Sequence, residues 1–175
     1  MPYAKGSLKY SVSTSYQKEP FIENYVHKYG EFPLWVDLEL ITMGSLSIFY
    51  SWLGSEARKA VATHFQVPHM YLGNWLHVLT LLRNTCAHNS RLFGRPLTKS
   101  VRIHGKFRQQ FDAQSCFAIW YILREILPPA EFGFFVFELG QIIERYDVQS
   151  QLKQIGFPDD WRMILLADLT ISPLR

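Results

Sequence analysis

Residues 71–93 read YLGNWLHVLTLLRNTCAHNSRLF. Up to Ala87 the segment has no proline, and its leucines recur three or four residues apart, so it predicts one helix from about Tyr71 to Ala87. The stripe of that helix runs Leu72, Leu76, Leu79, then Arg83, then Cys86. A guanidinium thus falls where a core residue is expected. Burying it costs several kcal/mol unless it is paired or faces a polar cavity. Arg83 therefore asks either for a structural carboxylate, with Glu39 the candidate, or for a functional site. The same stripe expects Cys86 to be a buried, inert thiol.

Working outward, Phe21, Tyr25, Val26 and Tyr29 make a short helical pattern that stops at Gly30. After Pro33, the positions Leu34, Trp35, Leu38, Ile41, Leu46, Phe49 and Leu53 predict a long helix with Gly54 as its C-cap. Ser55 then opens a short basic helix ending near Phe65. Downstream, Asn89 to Arg108 is rich in Gly, Pro, Arg and Lys and reads as a basic loop or hairpin-like excursion. An apolar helix starts near Ser115 and must end at Pro128. Phe132, Phe135, Val136, Leu139, Ile142, Ile143 and Tyr146 keep helical spacing. A short helix is expected near 149–154, and Phe157-Pro158 with Trp161 reads as a packed turn. There is no repeat and no convincing strand pair. The fold class is all-α, a helical bundle with a basic loop excursion after the motif helix, in which 1–20 form a poorly ordered or edge segment and 21–175 the helical domain.

Of the 175 residues, 48% are hydrophobic and 19% charged, which excludes disorder for most of the chain. Cys86 and Cys116 are too few for a disulfide framework, and no secretory leader pattern opens the sequence, so a cytoplasmic location is expected. The most apolar stretch, 115–139, is broken by Arg124, Glu125 and Pro128-Pro129, which argues against a membrane span. Charge is segregated along the chain. From Ala57 to Phe111 there is no Asp or Glu, while nine of the eighteen Lys and Arg and five of the six His lie there. Such a stretch is the footprint of a polyanion-binding face, or of a solvated basic face without a partner.

Arg83 and His88 stand five residues apart, with Asn84 and Asn89 beside them and Arg91 following. On an unbroken helix that spacing separates the side chains by about 140° and 7.5 Å of rise. They can flank one phosphate only if the helix ends near Ala87, or if a second chain completes the site. Histidine moves a proton near neutral pH, and a guanidinium stabilises charge developing on a phosphoryl oxygen. Without a carboxylate cluster, the pair suits metal-free cleavage of RNA through its own 2′-hydroxyl. The plain alternative is a helix-terminal histidine bonded to the last carbonyls. No ligand-spaced histidine set and no Gly-rich phosphate loop is present, so neither metal nor cofactor is expected.

Several segments in order resemble the Abi-like (abortive infection, AbiD/AbiF-type) proteins. They are Tyr29-Gly30-Glu31-Phe32-Pro33-Leu34-Trp35, Glu39, Thr42 to Ser47, Trp75 to Leu79, Arg83 to Phe93, and Gly156 to Trp161. The likeness spans roughly 21–161. It implies a HEPN-type bundle, bacterial antiphage defence, and a metal-independent endoribonuclease whose Arg-x4-6-His motifs meet across a homodimer. Arg83 and His88 match that motif, and Asn84 matches the polar residue after its Arg; Glu39, Asn89 and Arg91 match recurring positions. Relatives carry about a hundred further helical residues ahead of 29–35, so a short member or part of a longer protein is implied. On this reading Arg91, Arg95, Lys99, Arg102, Lys106 and Arg108 hold RNA by its phosphates, and a restraining RNA or protein partner is possible. Two other functions fit the residues: a non-catalytic RNA-binding subunit of a ribonucleoprotein or toxin–antitoxin assembly, and a helical module in which Arg83 is structural.

Overall fold

The computed structural model describes Lys28 and residues 41–169, and divides the chain into two compact units, Met1–Ala60 and Val61–Arg175. The described residues form helices and loops with no strand, as the sequence pattern predicts. The expectations for 1–20, for Phe21 to Tyr29 apart from the helical Lys28, for the long helix at Leu34, Trp35 and Leu38, and for Glu39 lie outside the described residues.

In the first unit, helix α1 spans Met43–Trp52. The long helix expected through Leu53 does not run through Ile41 and Thr42. Thr42 is extended (φ −67°, ψ 158°), and its hydroxyl accepts the Ser45 N–H at 3.1 Å, so a threonine N-cap starts a new helix there. At the other end Leu53 turns extended, and Gly54 is not the C-cap. Helix α2 (Ser55–His64) follows. The Tyr50 hydroxyl donates to the Arg58 carbonyl at 3.2 Å, and burial raises the phenol above its ordinary value.

The second unit continues with helices α3 (His69–Ala87), α4 (Phe117–Ile126), α5 (Pro129–Tyr146), α6 (Gln149–Leu152) and α7 (Trp161–Leu166). Helices α4, α5 and α7 pack on one another. Helix α4 buries Phe117, Ala118, Ile119, Tyr121 and Ile122, more than one face, which makes it the central helix. Ser115 helps start it, as its hydroxyl accepts the Ala118 N–H at 3.3 Å and donates to the Asp112 carbonyl at 2.7 Å. Leu127 is extended ahead of Pro128, and Pro129 sits in the first turn of α5, where its missing N–H costs nothing. Of the stripe expected on α5, Phe132, Val136 and Ile143 are buried, whereas Phe135, Ile142 and Tyr146 are exposed. The helix carries apolar residues around much of its circumference, and the described contacts cover one side.

The core is a chain of aromatic contacts. Tyr71 meets Trp75, Trp75 meets Tyr121, Tyr121 meets Phe111, Phe111 meets Phe117, Phe117 meets Phe157, and Phe157 meets Trp161, with ring centroids 4.9–6.1 Å apart. Edge-to-face and tilted contacts of this kind contribute about 0.5–1.5 kcal/mol each beyond area burial. Their far end depends on Gly156, which adopts φ +80° after a 3-10 turn at Lys153–Ile155 and lies against Ser115. A Cβ there would collide with the Ser115 side chain while forcing an L residue into the left-handed region. Gly156→Ala should therefore destabilise the fold by about 1–3 kcal/mol. A urea titration checks this, since the midpoint should fall with an unchanged slope.

Candidate functional site

Helix α3 presents the motif, but in a register different from the leucine stripe. Leu72, Trp75 and Val78 are buried, whereas Arg83 and Cys86 are exposed. The sequence offers apolar residues at 71, 72, 75, 76, 78, 79, 81 and 82, enough for two overlapping stripes. Trp75 has the largest apolar area to bury, and seating it in the core turns Arg83 and Cys86 outward. Arg83 is thus not a core arginine, and Cys86 is not a buried thiol. Among the described residues no carboxylate pairs with Arg83; its Nη1 donates to Asn84 Oδ1 at 3.3 Å. The pairing with Glu39 lies outside the described residues.

The helix ends at Ala87, the condition under which Arg83 and His88 could flank one group. His88 is the C-cap (φ −95°, ψ 18°), its N–H bonded to the Asn84 carbonyl at 3.0 Å. Asn89 then adopts φ +50°, with its N–H donating to Cys86 O at 3.1 Å while the Ser90 N–H reaches Thr85 O at 3.0 Å. These two bonds form a Schellman motif with asparagine in the left-handed position that glycine usually fills. Asn89 thereby has a physical role: it stops the helix so that His88 stands exposed at its end, one turn and a half beyond Arg83.

The basic excursion that follows is held by residues the sequence reading did not select. Asn74 brackets the loop backbone, as its Nδ2 donates to Ser100 O at 3.1 Å and its Oδ1 accepts the Arg102 N–H at 2.7 Å. The fully buried Trp75 donates its indole N–H to Arg102 O at 2.8 Å. Leu97, Val101, Ile103 and Phe107 point inward and are buried. The Leu97 and Val101 N–H groups also bond Gln114 O and Ala113 O at 2.7 and 2.8 Å. At its end, His104 stacks on Trp75 and bonds Glu125 at 2.9 Å, and the Tyr121 hydroxyl accepts the His104 N–H at 3.2 Å. Burial raises the Tyr121 phenol far above its ordinary value, so it stays protonated. Glu125 pairs with Arg124, whose guanidinium also bonds the Leu165 and Ala167 carbonyls and lies 4.6 Å from the Phe107 ring centre. Adjacent opposite charges inside an apolar helix were the available signal for this network.

The loop cations differ in how far the protein occupies them. Lys106 is paired with Asp168, whose carboxyl it holds below the usual range. Arg102 donates to Met70 O at 3.4 Å and Arg108 to Ile103 O at 3.4 Å. Arg91 donates to Phe93 O at 2.9 Å. Among the described residues no carboxylate pairs with Arg91, Arg95 or Lys99. These three border a cleft of about 230 Å³ against α3, floored by Val78, Leu82 and Leu92. A larger cleft of about 550 Å³ contains Arg124, Glu125 and Asp168, and its mixed charge suits a polyanion less. Among the described residues no cluster of His, Cys, Asp and Glu could hold a metal ion, and no helix is long and apolar enough to cross a membrane.

The model of the family described as Abi-like protein matches residues 3–94, more than half of the chain. The match includes Arg83, His88 and Arg91 and ends at Gly94, before most of the basic excursion and well before the Gly156 to Trp161 segment. No curated protein and no solved structure matches the chain.

Two outcomes follow from this geometry. Asn89→Gly should keep or slightly raise stability, whereas Asn89→Val should cost about 1–2 kcal/mol, because a β-branched residue resists φ +50°. Thermal denaturation of the pair checks it. A thiol reagent should modify Cys86 quickly and Cys116 slowly, since Cys116 is partly buried and burial raises its thiol; peptide mapping after a short pulse reads the order.

Proposed function

The chain belongs to the Abi-like protein family, whose association is with abortive-infection defence, and from that premise we propose that it is a metal-independent endoribonuclease of the HEPN type. The observation that carries the reading is the end of α3, where an exposed Arg83 without a carboxylate partner among the described residues is followed by His88 at the C-cap. In this role His88 removes the proton of a ribose 2′-hydroxyl or supplies one to the departing 5′-oxygen. Arg83 stabilises the charge that gathers on the phosphoryl oxygens between those events. Asn84 orients the Arg83 guanidinium, to which it is hydrogen-bonded at 3.3 Å. Arg91, Arg95, Lys99, Arg102, Lys106 and Arg108 hold flanking phosphates, with Arg91, Arg95 and Lys99 the strongest contributors because no carboxylate is bound to them among the described residues. Two chains supply two Arg and two His around one phosphate, so the active form is a symmetric homodimer.

The test is cleavage of mixed cellular RNA by the purified protein. His88→Ala and Arg83→Ala should each lower the rate roughly a hundredfold or more while keeping helicity and RNA affinity. Cleavage should persist in EDTA and leave 2′,3′-cyclic phosphate and 5′-hydroxyl ends, and light scattering should give the dimer mass. Products with 5′-phosphate ends would mean that water attacks and would remove this mechanism. RNA binding without any cutting would favour the non-catalytic RNA-binding subunit instead. Because Arg83 is exposed, folding failure of Arg83→Ala is not expected.

A further inference from the structure

The ribonuclease reading uses the cations of the cleft beside α3 and leaves its apolar and hydroxyl lining without a role. Its floor is apolar, provided by Val78, Leu82 and Leu92, while Arg91, Arg95 and Lys99 stand at its border. Hydroxyls line it as well: Thr85 donates to Leu81 O at 2.9 Å and keeps its acceptor lone pairs, and the Ser90 and Thr98 hydroxyls carry no hydrogen bond among the described residues. No carboxylate lines it, in keeping with the acid-free run from Ala57 to Phe111. A ligand matched to these walls combines an apolar part with hydrogen-bonding groups and a negative charge. A volume of about 230 Å³ is smaller than the 300–1,000 Å³ of sites for drug-sized ligands, so it admits one ring system and not a dinucleotide cofactor.

We propose that this cleft is a binding site for a single nucleotide, with the base on the Leu82 and Leu92 floor and the phosphate held by Arg91, Arg95 and Lys99. The choice of a nucleotide over other planar anions rests on the RNA reading above. Val78, Leu81, Leu82 and Thr85 share one face of α3 by helical spacing, and Arg83 lies off that face. A helix with its side chains is about 10–12 Å across. The base in the cleft therefore belongs to a neighbour of the linkage that Arg83 and His88 address. A strand passing from Arg83 around the exposed helix end at His88 would drop that neighbouring base into the cleft, fixing the register of cutting. A free nucleotide has the same chemistry and would occupy the same walls.

Equilibrium binding of the full chain to adenosine 5′-monophosphate, adenosine, inorganic phosphate and a short single-stranded oligoadenylate separates the possibilities. The monophosphate should bind at least roughly tenfold more tightly than adenosine or phosphate alone, since base and phosphate are each held. Arg95→Glu should weaken it by roughly tenfold or more. Ser90→Trp, which fills the cleft from an exposed position and removes no charge, should abolish monophosphate binding with little change in thermal midpoint. If the cleft serves the RNA strand, the monophosphate should compete with the oligonucleotide, and Ser90→Trp should shift the positions of the cuts; if it serves a free nucleotide, the oligonucleotide should bind Ser90→Trp as it binds the wild type. Monophosphate binding no tighter than phosphate, or undiminished in Ser90→Trp, would overturn the proposal. Monophosphate binding by a protein that cuts no RNA would support the cleft while removing the ribonuclease reading, and cutting without monophosphate binding would do the reverse.

Discussion

The backbone from Ser100 to Arg102 is tied to the N-terminal half of α3, and the arrangement of the second unit follows from that tie. Asn74 and Trp75 are adjacent, so they leave the helix on different sides of one turn, yet both end on the same short piece of loop. A buried indole N–H without an acceptor would cost about 1–3 kcal/mol, and the Arg102 carbonyl removes that cost. Seating Trp75 therefore determines two things together: the face that α3 buries, and the position at which the excursion is held. Arg83 is turned outward by the same rotation that brings Trp75 into the core.

The end of α3 shows how a local rule creates an exposed pair. Five residues along a continuous helix would send Arg83 and His88 to different sides. Ending the helix at Ala87 frees the backbone after it from that constraint, and Asn89 does so at a left-handed position with two capping bonds. A glycine would serve the backbone equally well.

The sequence pattern made most of the second unit legible. The limits of α3 and α4, the proline junction between α4 and α5, and the turn ending at Trp161 are set by caps and prolines, which act locally. The register of α3 was not legible, because leucines and aromatics marked two stripes and periodicity weighs them alike, whereas packing favours the largest ring. The long helix before Gly54 was misjudged for a related reason: apolar spacing carried through Ile41, but the Thr42 hydroxyl provides a cap that spacing does not register. Arg83, His88 and Asn84 were legible as a motif. Asn74, His104 and Glu125 were not, since each matters through a partner 21 to 28 residues away in sequence. Family membership was legible too, although the matching family model covers 3–94 and so supports the motif helix more than the basic loop behind it.

The excursion divides its labour by residue type. Its inward positions, Leu97, Val101, Ile103 and Phe107, together with backbone bonds to Asn74, Trp75, Ala113 and Gln114, attach the loop without using a cation. Where cations do assist, they sit toward the C-terminal end of the loop: Arg102 and Arg108 on carbonyls, and Lys106 on Asp168. Arg95 and Lys99 have no such structural assignment among the described residues, and Arg91 has only the Phe93 carbonyl. Concentrating like charges at one place raises their mutual repulsion, a cost that a fold bears without return unless an anion relieves it. Arg91, Arg95 and Lys99, the least committed cations, line one cleft together with apolar side chains and hydroxyls, a grouping that favours a ligand-binding edge over a merely solvated basic face.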